Sequence, residues 1–135
     1  MRRTIFLAVT CLSLGLMGCA TGSTRTPEVD PELVCADRTV TVFQSIGFLA
    51  VYPEYIHVCA GRSITVKAVP RAPGAVRTIP ERGNPAADDW LSAEGEKGGT
   101  AVIRIPETAT EGVYKYNIEV EGVGTLDPRV SVVRR

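Results

Sequence analysis

The chain has 135 residues, 44% of them hydrophobic, with 15 basic and 15 acidic side chains, one histidine and four cysteines. A formal charge of zero without any basic cluster excludes the electrostatic footprint of a nucleic-acid binder, and Arg134-Arg135 is too short a run to supply one. One histidine leaves little for Ser-His-Asp chemistry, and the length suits one domain of ordinary size with a modest core.

The chain opens with Met1-Arg2-Arg3, a basic start, followed by an uncharged apolar run from Ile5 to Met17 that is too short to span a bilayer as a helix. That run closes on Leu16-Met17-Gly18-Cys19. The four residues resemble the lipobox of bacterial lipoproteins, although Met17 is bulkier than the residue this family most often carries there. In that family the cysteine is diacylated on sulfur, the leader is removed before it, and the new amino terminus is acylated. The resemblance implies a signal peptide over 1–18, lipidation of Cys19 and a membrane partner held through the N-terminal lipid. Ala20, where an aspartate would retain the protein at the inner membrane, implies the outer membrane, with the domain in the periplasm or at the cell surface. More than one acyl chain makes such an attachment effectively permanent. An ordinary secretory cut after Ala20, with Gly18 and Ala20 as the small residues, is the competing expectation. Cys11 leaves with the leader and Cys19 takes the lipid. Cys35 and Cys59 remain as an even pair for an oxidising compartment, and a disulfide between them is expected.

Residues 19–32, with Thr21-Gly22-Ser23-Thr24 and Pro27 and Pro31, carry no apolar periodicity and read as a flexible tether. The domain then runs over 33–135. Thr39 to Phe43 alternates as a strand. Gln44 to Tyr52 is almost wholly apolar and reads as a buried strand or a short helix, between which periodicity does not choose. From Pro53 to Val66 two strands flank a tight Ala60-Gly61-Arg62 turn, with Ile56 and Val58 on one face, Tyr55, His57 and Cys59 on the other, and Ile64, Val66 and Ala68 as the core face of the return strand. Pro70 to Ala87 holds Pro70, Pro73, Pro80 and Pro85 and reads as a long irregular surface excursion. Trp90, the only tryptophan, is expected to plug the core. A turn over 94–99 precedes a strand carrying Ala101, Ile103 and Ile105. Val113 to Val120 reads as the longest strand, with Tyr114, Tyr116, Ile118 and Val120 on one face. A turn over 121–125 leads to a last strand, Val130 to Val133. The whole predicts an all-β sandwich of about six to eight strands.

Two motifs at opposite ends of the domain carry a second resemblance. Pro53-Glu54-x-Ile56-x-Val58-x-x-Gly61-x-x-Ile64-Thr65-Val66 resembles the early strand pair of cupredoxins. Gly112-x-Tyr114-x-Tyr116-x-Ile118, with Gly122 and the ending Leu126-Asp127-Pro128-x-Val130-x-Val132, is similar to their late strands. A blue-copper site needs two histidines and a cysteine thiolate, usually with an axial methionine. This chain has Ile118 where the family's cysteine falls, one histidine, and both methionines, Met1 and Met17, in the leader. The resemblance therefore implies a Greek-key sandwich, cupredoxin-like or immunoglobulin-like, of about six to eight strands without the copper, and neither a metal nor any other cofactor is expected.

His57 and Cys59 lie on one strand face and could share a metal, but two ligands do not close a site. No catalytic residues are assigned, because Asp88, Asp89, Glu94 and Glu96 fall in turn-rich sequence and no phosphate-cradling loop precedes a helix. The expected role is a non-enzymatic, lipid-anchored sandwich that binds or positions an envelope protein. Its expected surface is the excursion with Arg71, Arg77, Glu81 and Arg82, or an exposed sheet edge that accepts a strand. A small subunit of a secretion or envelope assembly is one version of this role. The alternatives are a metal-handling cupredoxin relative with a nonstandard site around His57 and, more remotely, an envelope hydrolase.

Overall fold

The computed structural model describes residues 35–95 and 99–134. The lipobox, Cys19 and the tether lie outside them. Ten strands form two sheets: β1 (Arg38–Ser45), β2 (Phe48–Tyr52), β3 (Tyr55–Cys59), β4 (Ser63–Val69), β5 (Val76–Pro80), β6 (Ala93–Glu94), β7 (Thr100–Arg104), β8 (Gly112–Val120), β9 (Gly124–Leu126) and β10 (Arg129–Val133), with a 3₁₀ turn at Asp89–Leu91. The first sheet has the order β2-β1-β4-β7, and the second β3-β10-β8-β5-β6 with β9 also paired to β8. Both are mixed, because β1 runs parallel to β4 and β3 parallel to β10. The class is the all-β sandwich expected. The strand count exceeds the expectation because β6 and β9 are only two and three residues long and have no alternation to display.

Alternation builds both inner faces. In the nine-residue β8, Tyr114, Tyr116, Ile118 and Val120 are buried while Lys115 is exposed. Val40 and Val42 of β1, Ile64, Val66 and Ala68 of β4, and Ala101 and Ile103 of β7 face them from the first sheet. The Tyr114 hydroxyl donates to the Thr110 carbonyl at 2.8 Å, pinning the connector before β8 to the strand as a tyrosine corner does. Trp90 is half-buried, packs edge-on against Tyr114 at 4.9 Å and donates from Nε1 to the Ala87 carbonyl. Thr78, a polar side chain buried in the core, donates to the Leu91 carbonyl and accepts from the Ala93 amide at 3.0 Å, which clips the 3₁₀ turn and β6 onto β5.

Two local expectations are corrected. The strands flanking Ala60-Gly61-Arg62 do not pair with each other: β3 pairs with β10, and β4 with β1 and β7. The turn, in which Gly61 has φ of 83°, carries the chain from one sheet to the other. Both strands need only one buried face, so the same alternation serves a hairpin or a crossover. The second correction concerns Pro70 to Ala87, which is not irregular throughout. It contains β5, paired along its length with β8, with Pro80 tolerated as its last residue.

Cys35 and Cys59 form the expected disulfide. It packs with Val133 as a small buried cluster separate from the main core and ties the start of the described chain to the ends of β3 and β10.

Candidate interaction face

Gln44 to Tyr52 resolves into the end of β1, a two-residue turn and β2, which is neither central nor helical but the edge of the first sheet. Gly47, with φ of 72°, holds the turn in a conformation that a side chain would resist. Register then decides which residues face outward. Val42 lies opposite Val51 and Gln44 opposite Leu49 on the inner side, whereas Phe43 lies opposite Ala50, Ser45 opposite Phe48 and Thr41 opposite Tyr52 on the outer side. On β4, Val69 lies beside Phe43. The outcome is an uncovered apolar surface: Phe48 is 60% exposed, Tyr52 72%, and Ile46 at the turn is fully exposed. Phe43 and Val69 extend it, and exposed Lys67, beside Thr41, bounds it. Single exposed apolar residues are ordinary, whereas a contiguous apolar set with three aromatic rings is unusual on a domain surface.

The hairpin is held firmly. Gln44 Nε2 donates to the Pro70 carbonyl at 2.8 Å, which fixes the hairpin end to the loop after β4. Inside, Leu49 reaches across to β9, where Gly124 leaves it room, since a Cβ there would stand 3.2 Å from its methyl carbon.

Of the charged residues expected at a partner surface, Arg77, Glu81 and Arg82 lie on or after β5, away from this hairpin, and Arg71 lies next to it. Arg77 stands on the outer face of β5, in the opposite sheet, and pairs with Glu94 at 3.1 Å on open surface, a contact worth about 1 kcal/mol or less. Glu81 follows β5, with its amide bonded to the Lys115 carbonyl, and Arg82 is exposed in the next turn. Arg71 is exposed in the loop that Gln44 holds. Arg77 and the aromatic rings thus belong to opposite sides of the sandwich. The aromatic face was missed because an apolar run on a single strand looks the same whether a second layer covers it or not. The available signal was that Thr39 to Pro53 contains no charge at all.

His57 lies half-buried on the outer face of β3, edge-on to Tyr55 at 4.9 Å, and Arg38 Nε donates to its carbonyl at 3.3 Å. With Asp37, Thr39 and Pro53 it lines a cavity of about 430 Å³. Asp37 is already engaged: its carboxylate accepts the Ser63 amide at 2.9 Å. That bond, then the Ser63 side chain and the Arg62 and Arg104 charges, hold it below the usual carboxylate range. Among the described residues no group of three or more His, Cys, Asp or Glu side chains could hold a metal ion.

The chain matches no protein-family model and no curated protein sequence. Among solved structures it is similar to the oxidised form of plastocyanin from Dryopteris crassirhizoma, with a TM-score of 0.50, 16% identity, and coverage of 70% of this chain and 99% of that chain. The sandwich is therefore a cupredoxin fold. The residues do not fit a copper centre of the cupredoxin kind. Ile118, which the sequence resemblance sets at the position of the cupredoxin cysteine, is fully buried on the inner face of β8 between Thr78 and Leu126. His57 stands on the outer face of the same sheet, so the two positions cannot converge.

Proposed function

We propose that this chain is a non-enzymatic β-sandwich, anchored by lipid at Cys19 to the outer membrane, that binds an envelope protein on the outer face of β1 and β2. The supporting observation is the exposed set of Phe43, Phe48 and Tyr52 with Ile46 beside it, on strands that pack on the core and are tied by the Gln44 contact. Rigid aromatic rings give large contact area at small entropic loss, which suits them to anchor a partner. The leader supplies the other half of the mechanism: confinement to a membrane surface raises the effective concentration of the domain around membrane partners, and the tether sets its reach. A small subunit of a secretion or envelope assembly is one form of this role.

The test is in-cell cross-linking with mass spectrometry on the native protein, a Phe48→Ser/Tyr52→Ser variant, and a Cys19→Ser form with a signal redesigned for ordinary export. One envelope protein captured reproducibly, lost in the double variant and reduced without the anchor, is the expected result. No reproducible capture, or capture indifferent to the double variant, overturns the reading. The metal-handling alternative has only the likeness in fold behind it. Titration of purified protein with copper and zinc, followed at the His57 resonances, would revive it by showing a stoichiometric site.

A further inference from the structure

We infer that two copies of this chain associate edge to edge, pairing β2 with β2 about a two-fold axis at Ala50 and joining the two first sheets into one continuous sheet. The inference goes beyond the partner reading, because it concerns the main-chain edge of β2 and not its outer face, and either can hold without the other.

A free edge presents unpaired N–H and C=O groups, and proteins ordinarily blunt it with charge, proline, a bulge or a covering segment. The other edges of this sandwich are blunted. At β3 the Cys35–Cys59 bridge sits at one end and Arg38 Nε occupies the His57 carbonyl. β6 is two residues long, and the next amide, that of Gly95, is already bonded to the Val76 carbonyl. β7 carries Arg104 and is flanked by β6 and the 3₁₀ turn. β2 lacks all of these but a neighbour, since β9 lies against it with Gly124 beside Leu49 on the core side. Its five residues hold no charge and no proline, its register with β1 runs without a bulge, and β1 is the one strand it pairs with among the described residues.

The residues of β2 identify the occupant. Phe48-Leu49-Ala50-Val51-Tyr52 reads nearly the same in both directions: aromatic, aliphatic, alanine, aliphatic, aromatic. Antiparallel pairing about Ala50 sets Phe48 opposite Tyr52 of the second copy, Leu49 opposite its Val51, and Ala50 opposite itself. Side-chain alternation puts both aromatic pairs on the outer face, flanking the small Ala50 pair, and leaves the aliphatic pairs on the core side. The pairing with β1 already fixes which side chains face outward, and a slip of two residues against the second copy would keep that face but set a ring opposite Ala50, so the match of Phe48 with Tyr52 selects the pairing about Ala50. A two-fold contact requires a self-complementary surface, and this strand is one. The charge-free stretch from Thr39 to Pro53 lets two copies meet without repulsion. The joined sheet would also carry the aromatic face across both copies. A five-residue edge makes few main-chain bonds, so association is concentration-dependent.

The test uses the chain as purified from cells. Sedimentation equilibrium across a wide concentration range should show a monomer–dimer equilibrium. Ala50→Lys and Ala50→Glu each place like charges on the axis and should raise the dissociation constant by about tenfold or more. An equimolar mixture of the two should associate again, which variants that merely misfolded could not do. Ala50→Cys should cross-link to itself on oxidation, because directly opposed Cα atoms in an antiparallel pair are about 4.5–5.5 Å apart, within disulfide reach. Val102→Cys on β7 should not. A monomer at every concentration overturns the proposal, as does a dimer unchanged in both charge variants, or a Val102→Cys chain that cross-links as fast. A monomer that still captures an envelope protein would remove this inference and leave the partner reading standing.

Discussion

Tyr114 and Tyr116 stand two residues apart on β8, both fully buried, yet their hydroxyls differ. That of Tyr114 donates to the Thr110 carbonyl at 2.8 Å, while that of Tyr116 is buried without a partner among the described residues. Replacing each by phenylalanine should therefore have opposite signs. Tyr114→Phe leaves the Thr110 carbonyl unpaired and frees the connector, a loss of about 1–2 kcal/mol. Tyr116→Phe removes a polar atom whose desolvation nothing offsets, so it should be neutral or stabilising by about 1 kcal/mol. For a domain of this size each kcal/mol shifts the melting temperature by about 4–8 °C, so the two variants should be separated by about 10 °C.

The alkaline limb provides a second readout. Burial holds the Tyr116 phenol well above its ordinary range. Below pH of about 10 both the folded and unfolded chains keep the proton, and this group adds no slope. Above it the unfolded chain releases the proton and the folded chain does not. Stability then falls with rising pH by about 1.4 kcal/mol per unit from this group. Tyr116→Phe should remove that slope. Tyr114, raised first by burial and then by the nearby Asp88 charge, contributes in the same direction and stays in place in the Tyr116 variant. Urea unfolding of wild type and both variants from neutral pH to above pH 11 measures all of this, provided the m-value is unchanged. A loss of 1 kcal/mol or more in Tyr116→Phe at neutral pH, or an alkaline slope equal to wild type, would refute the reasoning.

The disulfide closes a sequence separation of 24 residues, so Cys35→Ser with Cys59→Ser should lower stability by about 3–4 kcal/mol in the chain-entropy model, read as a fall in the urea midpoint. Thr78→Val strands the Leu91 carbonyl and the Ala93 amide and should lower stability by about 2 kcal/mol, whereas Thr78→Ser should retain most of it; thermal unfolding of the pair separates the hydroxyl from the methyl group. Gly95→Ala would drive a methyl group into the Thr100 carbonyl beside it and should destabilise by about 2–3 kcal/mol in the same assay, although Gly95 needs no unusual backbone angle.

Much of the fold was legible because alternation is local. The buried sets of β1, β3, β4, β7, β8 and β10 could each be named from residues two apart, and the disulfide followed from counting cysteines in an oxidising context. Pairing was not legible to the same degree. The segments around Gly61 look like a hairpin because a short turn joins two strands, but both strands find better partners across the chain: β3 in β10, β4 in β1 and β7. β5 was hidden among prolines because it is short and its partner β8 lies some forty residues on. The tyrosine corner, the Thr78 clip and the contact between Gly95 and Thr100 join residues whose proximity only the folded chain creates.

The aromatic face was the hardest part to read. A strand apolar on both faces satisfies two opposite descriptions: the centre of a covered sheet, where layers bury both faces, or a rim that has no cover yet. Composition cannot separate them, because both demand the absence of charge. Position does. In β2 the inner residues Leu49 and Val51 are accounted for by the core, but Phe48 and Tyr52 are not, and the run stays uncharged through the turn at Ile46, where any polar residue would fit. The fold alone does not require those rings. Burying them supplies the driving force for association, which in water scales with apolar area removed from solvent. The same strand leaves its main-chain groups open along the edge. The two proposals therefore place contacts of different chemistry on one hairpin: ring packing for an envelope partner, and hydrogen-bonded strand pairing for a second copy. Substitution at Ala50 addresses the edge while leaving Phe48 and Tyr52 in place, and substitution of the rings leaves the strand backbone intact, so the two contacts can be removed one at a time.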